Sequence, residues 1–246
     1  MTETPVAGAV PRFELAAWRR SGIVAGITGR GEAAEPFDLG LAGITTPVGR
    51  VMDHWRLLRE SLPEFSGLAV ARQVHGTEIL WHQCAAGLQI HEGADGHATD
   101  RAGLLLGVTA ADCIPIYVAD PMRRVVALLH AGWRGVAGGI LRRGVELLVR
   151  WGSNVDNLLV HCGVGICGAC YEVGSEVFAA CGLGAPAGGK GTLDLRALLA
   201  EQAVHLGVKH ISTSQLCSRH DAPGFFSHRG SGGRDGRMVA YLGLLP

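Results

Sequence analysis

Short apolar runs separated by glycine-rich or polar turns occupy most of the 246-residue chain. Runs rich in β-branched residues and bounded by turn signals predict buried strands. We expect strands at 22–28, 68–74, 78–82, 104–108, 114–118, 125–129, 157–161, 208–212 and 238–242. Between the first of these and Phe37, a segment rich in Gly, Pro and Glu is predicted to be a loop.

Four segments carry apolar residues at helical spacing. In residues 47–61, Val51, Trp55 and Leu58 fall on one face. Residues 140–152, 171–181 and 193–206 are predicted as further helices, the last with Asp194 as its N-cap. Strands and helices interleave without a linker of different composition. The pattern predicts one α/β domain over residues 1–246, a layered mixed α/β sandwich with residues 1–21 at its periphery.

Charge and composition narrow the classes of partner. The 22 Lys and Arg residues balance the 22 Asp and Glu residues, and no basic stripe indicates nucleic-acid binding. The apolar runs are too short to span a bilayer, and the first residues lack the pattern of a signal peptide. Seven unevenly spaced cysteines favour a reducing compartment. We therefore expect a cytoplasmic protein with neither nucleic-acid nor membrane partners; the sequence does not indicate its oligomeric state.

Three residues at predicted strand ends are candidates for one site: His75 in RQVHG, Cys113 in TAADCIP and His130 in LLHAGWRG. Thiolate and imidazole are zinc ligands, and three protein ligands leave the fourth position for water, as in catalytic sites. Their wide spacing requires the fold to bring distant strands together. From the residues alone, a small buried cysteine and ordinary hydrogen-bonded histidines are the more common interpretation.

Six motifs together resemble one family in order and spacing: RQVHG, ADGHATD, TAADCIPI, HAGWRG, GVGICGACYEVG and FFSHRG. That family was first described as multicopper polyphenol oxidases (laccases) and as peptidoglycan editing factors, and its members are now understood largely as zinc-dependent purine nucleoside phosphorylases. The resemblance runs from about Gly22 to the last residue. It implies a single α/β domain with a metal site at strand ends. His75, Cys113 and His130 would be the metal ligands, and the metal zinc or alternatively copper.

The sequence also departs from the family's usual motifs. Thr28-Gly29-Arg30 stands for Thr-Thr-Arg, and FFSHRG stands for FFSYRR, so that His228 replaces a tyrosine and Gly230 an arginine. The metal ligands match the family, so these departures concern the substrate contacts.

The resemblance implies phosphorolysis of adenosine, inosine or guanosine to the base and ribose 1-phosphate, with possible adenosine deaminase and methylthioadenosine phosphorylase activity. The partners would be a small purine nucleoside and phosphate. Bound zinc lowers the pKa of its water to about 7 or polarises a substrate oxygen. Asp112, beside Cys113, is a candidate for orienting a ligand histidine or for proton transfer, and Asp95 is a similar case. Capping of local N–H groups is the structural alternative for both.

Candidate substrate contacts are three arginines and one glutamine. Arg30, Arg72 and Arg134 are candidates for binding phosphate, together with the N–H groups of a helix opened by residues 135–138. Gln73 is a candidate for contacting a purine edge. An ordinary surface ion pair remains the alternative for Arg134.

Two other reactions stay open. Copper accepts His and Cys ligands, so copper-dependent phenol oxidation is possible, although the chain has no H-x-H motif of the kind expected in true multicopper oxidases. Alternatively, Cys113 is a nucleophile with His130 or His75 as its base, in an amide hydrolase acting on peptidoglycan precursors.

A C-x-x-C pair, Cys167 and Cys170, stands apart from these motifs. Such a pair is typical of half a zinc site or of a redox centre. The chain has no second C-x-x-C, and the segment resembles the family's Cys-Cys-Tyr-Glu-Val-Gly. An ordinary structural role is therefore favoured for the pair.

Overall fold

A computed structural model describes residues 2–31, 35–41, 46–221 and 224–246. Part of the predicted loop before Phe37, residues 32–34, lies outside this description. The strands are β1 Thr4–Val6, β2 Arg12–Glu14, β3 Ile23–Thr28, β4 Gly67–Arg72, β5 Ile79–His82, β6 Gly87–Glu92, β7 Gly96–Thr99, β8 Leu104–Ala110, β9 Ile114–Asp120, β10 Val125–Ala131, β11 Leu159–Cys162, β12 Glu172–Gly174, β13 Lys190–Thr192, β14 His210–Thr213 and β15 Met238–Leu244. The helices are α1 Ala16–Arg19, α2 Val48–Glu60, α3 Trp133–Gly138, α4 Ile140–Arg150, α5 Ser175–Ala180, α6 Leu195–His205 and α7 His228–Ser231.

The strands form two large mixed sheets and one small ribbon. The seven-stranded sheet has the order β1-β2-β3-β15-β8-β4-β6, in which β8, β4 and β6 run parallel and the other pairs antiparallel. The six-stranded sheet has the order β14-β11-β9-β10-β7-β5, with parallel pairs only at its two ends. Strands β12 and β13 form the ribbon.

The two large sheets pack face to face, and helices cover their outer faces. Strand β10 illustrates why the central strands are almost continuously apolar. Val125, Ala127 and Leu129 pack with the apolar face of α4, whereas Val126 and Leu128 pack between the sheets. A strand buried on both faces reads as a continuous apolar run, since successive side chains point to opposite faces. Helix α2 covers the other sheet. The predicted fold class, a layered mixed α/β sandwich, is confirmed.

The N-terminal segment joins the seven-stranded sheet. Strands β1 and β2 extend it beyond β3, and Leu15 and Trp18 are buried in the core between the sheets. Six short strands, β1, β2, β6, β7, β12 and β13, were not predicted from the sequence. None of the helices in the described ranges is long and apolar enough to cross a membrane.

One predicted helix is wrong in its first half. Residues 172–174 of the predicted helix 171–181 form strand β12, and only Ser175–Ala180 is helical. The reason is tertiary, because Val173 pairs with Gly191 on β13, a partner distant in sequence. The predicted cap of α6 is confirmed, since the Asp194 carboxylate accepts hydrogen bonds from the N–H groups of Arg196 and Ala197.

Candidate metal centre

His75, Cys113 and His130 converge from three separate turns and strands. Their ligand atoms all lie within 4.8 Å of one another. His75 lies in the turn between β4 and β5 with φ 59°, and Cys113 follows the β8–β9 turn residue Asp112, which has φ 87°. His130 is the penultimate residue of β10. The structure thus brings together the three predicted ligands at the strand ends.

The carboxylate of Asp95 organises two of the three ligands. It is fully buried and accepts hydrogen bonds from the backbone N–H groups of Val74 at 3.1 Å, His75 at 2.9 Å and Gly76 at 2.7 Å. Its Oδ1 also lies 2.9 Å from Nδ1 of His130. With Nδ1 held by a carboxylate, Nε2 of His130 is the nitrogen that faces the site. Asp95 therefore both caps the His75 turn and orients His130.

The charges of Cys113 and His130 depend on each other. Burial by itself would raise the pKa of the Cys113 thiol, but His130 and then His75 lower it to about 6. Burial would likewise lower the pKa of His130, yet the Cys113 thiolate and Asp95 raise it to about 9. The site therefore favours a thiolate at neutral pH, the form in which cysteine binds metals.

Gly132 is required by the crowding around these ligands. A Cβ atom at this position would lie 3.0 Å from Sγ of Cys113 and 3.2 Å from Cδ2 of His75. The HAGWRG motif thus combines a ligand, His130, with the glycine that lets the β10–α3 turn pass close to the other two.

Asp112 holds the backbone next to Cys113. Its Oδ1 accepts a hydrogen bond from the Ser218 hydroxyl at 2.6 Å, and its Oδ2 from the Arg229 N–H at 2.6 Å. Its backbone carbonyl accepts from the N–H of Ile166. In this structure Asp95, not Asp112, contacts a ligand histidine. The proton-transfer role of Asp112 stays a prediction.

The four predicted substrate contacts lie in different environments. The Arg72 guanidinium pairs with Glu92 at the surface. Gln73 binds the backbone and hydroxyl of Thr109 and so joins β4 to β8. The guanidinium of Arg134 lies 4.3 Å from the centre of the Trp133 ring, and that of Arg30 lies 5.8 Å from the Phe226 ring. Their roles in substrate binding stay predictions.

A polar pocket of about 380 Å³ opens beside the ligand cluster, within the size range of small-molecule sites. Two residues of the pocket lining are anchored next to Cys113. Trp133 directly follows Gly132, and the backbone N–H of Arg229 donates a hydrogen bond to Asp112. Burial and then the nearby Cys113 raise the pKa of Tyr171 to about 12. The lining residues are Trp133, Tyr171, Glu172, Val173, Gly174, Glu176, Val177, Lys190 and Arg229.

Three pocket residues were missed by the sequence reasoning. Tyr171 and Arg229 lie within the quoted motifs GVGICGACYEVG and FFSHRG, which offered a signal for both. Lys190 had no such signal, because it enters the pocket only through the pairing of β13 with β12.

A second pocket, of about 400 Å³, lies between α2 and the β4–β6 edge of the seven-stranded sheet. Its lining is largely apolar, including Met52, Trp55, Leu88 and Ile90, and it contains none of the candidate ligands. Neither pocket is lined by His75, Cys113 or His130, but of the two only the polar pocket has lining residues, Trp133 and Arg229, that are anchored next to Cys113.

Comparison with known proteins identifies the family. A sequence profile described as multi-copper polyphenol oxidoreductase laccase matches residues 37–245. The chain belongs to this family. The resemblance inferred from the motifs is thus confirmed. Relatives of this chain have names that describe different reactions.

Three similar proteins illustrate that range. Purine nucleoside phosphorylase YlmD of Geobacillus stearothermophilus is 34% identical in an alignment that covers 91% of this chain and 90% of that protein. Purine nucleoside phosphorylase of Deinococcus radiodurans is 38% identical, with 70% and 68% covered. Adenosine deaminase RL5, from an unknown prokaryotic organism, is 40% identical over 158 residues, 59% of this chain and 60% of that protein.

The same layered α/β fold is found in a solved structure of one of these relatives. The crystal structure of YlmD from Geobacillus stearothermophilus matches with a TM-score of 0.88 and 30% identity, covering 99% of this chain and 100% of that one. The architecture described above is therefore that of the family.

Proposed function

We propose that the protein is a zinc-dependent purine nucleoside phosphorylase that converts a purine nucleoside and phosphate to the free base and ribose 1-phosphate. The observation that carries this proposal is the three-ligand cluster His75–Cys113–His130 beside a pocket lined by two aromatic rings, two cations and two glutamates. The printed names of two relatives support the same reaction.

The donor set fits zinc. One thiolate and two imidazoles are zinc ligands, and three protein ligands are typical of catalytic zinc sites with an open position. Zinc bound there would act as a Lewis acid toward a substrate group. Copper also accepts these donors, so the choice of zinc rests on the proposed reaction.

The pocket residues divide into two chemical roles. Lys190 and Arg229 supply positive charge for phosphate; Arg229 uses one N–H for the Glu172 carbonyl and keeps the remaining donors of its guanidinium. Trp133 and Tyr171 offer ring faces for the purine. With its pKa at about 12, the Tyr171 hydroxyl stays neutral and can donate a hydrogen bond to the departing base.

Phosphorolysis then balances without another co-reactant. A phosphate oxygen forms a bond to the anomeric carbon of ribose, the bond from that carbon to the purine nitrogen breaks, and the bonding electron pair leaves with the base. The base then takes up the proton that the hydrogen phosphate gives up. Positive charge from Lys190 and Arg229 would hold the phosphate close to that carbon. Four further substrate contacts remain proposed: Arg30, Arg72, Gln73 and Arg134. Comparing the KM for phosphate of their variants with that of Lys190 and Arg229 variants would show which of these residues bind phosphate.

A substrate assay tests this reaction. Zinc-loaded protein should release base and ribose 1-phosphate from inosine or adenosine only when phosphate is present, and Cys113→Ala should abolish the release. Arg229→Met should raise the KM for phosphate about 10-fold or more, because it removes a charged hydrogen bond. Arg150→Met is the matched control, since Arg150 is exposed at the end of α4. Absence of phosphate-dependent ribose 1-phosphate would contradict the proposal.

A second candidate activity is deamination of adenosine, together with phosphorolysis of methylthioadenosine. The name of one relative, Adenosine deaminase RL5, favours the deamination. Deamination consumes water rather than phosphate and releases ammonia and inosine. Ammonia released from adenosine in phosphate-free buffer would establish it, and its absence there would reject it.

Copper-dependent oxidation of polyphenols is the alternative that the family description supports. Protein grown in copper-free medium and then loaded separately with zinc or copper separates the two reactions. Phenol oxidation that rises in proportion to bound copper, without phosphorolysis in the zinc form, would favour the oxidase.

A Cys/His amide hydrolase acting on peptidoglycan precursors is the remaining alternative. The series of contacts from Asp95 to His130 and on to Cys113 supports a cysteine nucleophile with an oriented base. Amide hydrolysis that survives complete removal of metal by a chelator would favour it. We also propose a cytoplasmic location, which the seven free cysteines support.

A further inference from the structure

A second cluster of metal-binding side chains lies outside the candidate metal centre. Cys167, Cys170, Cys217 and His220 each offer one ligand atom, and the four atoms all lie within 4.8 Å of one another. The C-x-x-C pair thus does have a second half, but that half is C-x-x-H, fifty residues later in the chain. The absence of a second C-x-x-C therefore does not exclude a four-ligand site at this pair.

The distances within the cluster match a single tetrahedral ion. Nδ1 of His220 lies 3.6 Å from Sγ of Cys167 and 3.3 Å from Sγ of Cys170. In a tetrahedral zinc site, bond lengths of about 2.3 Å to sulfur and about 2.0 Å to nitrogen place such atoms roughly 3.5 Å apart. All three cysteines are free thiols in the structure, so none is committed to a disulfide.

The surroundings of the cluster favour a thiolate at Cys217 and place a carboxylate near His220. Sγ of Cys217 accepts hydrogen bonds from the backbone N–H groups of Cys167 at 3.3 Å and Arg219 at 3.4 Å. Nε2 of His220 faces Oδ1 of Asp221 at 3.9 Å, while Oδ2 of Asp221 accepts from the N–H of Cys217. At this distance Asp221 does not accept a hydrogen bond from the ring, but its negative charge lies on the side of the second ring nitrogen of His220.

We propose that Cys167, Cys170, Cys217 and His220 bind a second zinc ion in a closed, structural site. Four protein ligands of the Cys3His type fill the tetrahedral shell and leave no position for a substrate. Soft thiolates at tetrahedral spacing favour zinc over hard cations such as magnesium or calcium.

This site fastens two loops that support the candidate metal centre. One loop follows β11 and the other follows β14; they meet in a parallel bridge between Gly165 and Cys217. Ser218, between two of the ligands, donates its hydroxyl to Asp112, the residue before Cys113. Arg219 also reaches the carbonyl of Cys170. The second zinc therefore fixes the backbone against which Cys113 is positioned.

Metal content of purified protein tests the proposal without any activity assay. After loading with zinc and removal of loosely bound metal, the protein should hold two zinc ions per chain, one for each cluster. His220→Ala and Cys170→Ser should each retain one ion, and Cys113→Ala should retain the other. His220→Cys should keep both, because a fourth thiolate is also a zinc ligand. Cys84→Ser is the matched control, since Cys84 is an exposed thiol outside both clusters.

Cobalt substitution identifies which ligands hold the metal. In the Cys113→Ala background, cobalt(II) should give the visible absorption of a tetrahedral site and strong thiolate charge-transfer bands, both lost on adding His220→Ala. His220→Ala should also lower Tm by roughly 5 °C or more, because the ion that holds the two loops is bound only by the folded chain. The proposal is overturned if Cys113→Ala protein binds no metal, or if intact-mass measurement finds Cys167 and Cys170 joined as a disulfide. These results do not depend on whether phosphorolysis is the reaction.

Discussion

At the scale of single residues, Asp95 is the group on which the candidate metal centre most depends. Its carboxylate accepts three backbone N–H groups of the His75 turn and also contacts Nδ1 of His130. Burial would raise the pKa of this carboxyl, but His130 and the N–H of Gly76 outweigh burial and lower it. Asp95 is thus charged at neutral pH and acts on the metal through the positions of two ligands.

Substitution Asp95→Asn should weaken zinc binding at the candidate metal centre by about 10–100-fold, the usual effect of losing a carboxylate that orients a ligand histidine. The amide still accepts N–H groups with its oxygen, so the fold should persist. Competition with a chromophoric chelator measures the affinity, and cobalt spectra of the same protein report the ligand geometry.

Asp120→Asn is the control for this change. Asp120 is also a fully buried carboxylate that accepts backbone N–H groups, those of Met122 and Arg123, but it lies at the β9–β10 turn away from the ligands. Zinc affinity should stay at the wild-type value there. Equal losses in the two variants would mean that general destabilisation, not orientation of His130, sets the affinity.

At the scale of elements, the parallel pair β5–β7 contains two buried histidines that contact each other. Nε2 of His82 lies 2.9 Å from Nδ1 of His97, and the ring of His91 on β6 packs against His82. Burial and then the neighbouring imidazoles lower the pKa of His82 to about 4 and that of His97 to about 3. Both side chains are therefore neutral in the folded protein.

This pair should make the fold sensitive to mild acid. Histidines of the unfolded chain take up protons below about pH 6.5, whereas the folded pair does not until pH 3–4, so acid favours the unfolded state. The stabilising effect is complete above pH 6.5 and is lost as the pH falls toward the folded pKa values. For His97 the loss in free energy of unfolding between pH 6.5 and pH 4 is on the order of 3 kcal/mol.

His97→Asn should flatten this pH dependence, because asparagine does not titrate and its amide can occupy the place of Nδ1. Urea unfolding at several pH values between 4 and 7.5 gives the slope. His210→Asn on β14, where His210 is exposed, should leave the slope unchanged. A slope that His97→Asn does not alter would show that other groups cause the acid sensitivity. The smaller side chain lowers stability at every pH and does not affect that comparison.

At the scale of the whole molecule, Gly26 combines a hydrogen bond between the two sheets with close packing on the face of the seven-stranded sheet that α2 covers. The Tyr117 hydroxyl on β9 donates a 2.8 Å hydrogen bond to the Gly26 carbonyl on β3, linking one sheet to the other. A Cβ atom on Gly26 would lie 2.5 Å from the Phe13 carbonyl oxygen and 2.6 Å from Oη of Tyr241. There is no space for a side chain at this position.

Gly26→Ala should therefore lower the free energy of unfolding by roughly 2–3 kcal/mol, the cost of overpacking a dense interior. Gly49→Ala makes the same chemical change in α2, where a Cβ would contact nothing within 4 Å, and should stabilise by up to about 1 kcal/mol. Urea denaturation of both variants measures the difference. Equal effects would show that the packing around Gly26 adapts to an added methyl group.

Periodicity predicted the long elements well and the short ones poorly. The strands at the centres of the two sheets follow from continuous apolar runs, because they are buried on both faces. Helices α2, α4 and α6 follow from apolar residues spaced three and four apart. Strands β6 and β7 carry polar residues such as Gln89 and His97, whose places are set by pairing with β4 and β10. Such partners are distant in sequence, and local pattern does not reveal them.

The sequence by itself predicted the fold class from apolar runs and spacing, and it pointed to His75, Cys113 and His130 through motifs that resemble a known family. Only the tertiary structure decided what surrounds them. Asp95 and the second cysteine cluster bring together residues from separate loops, and hydrogen bonds and ligand sets depend on distances in space. Separation along the chain carries no information about those distances.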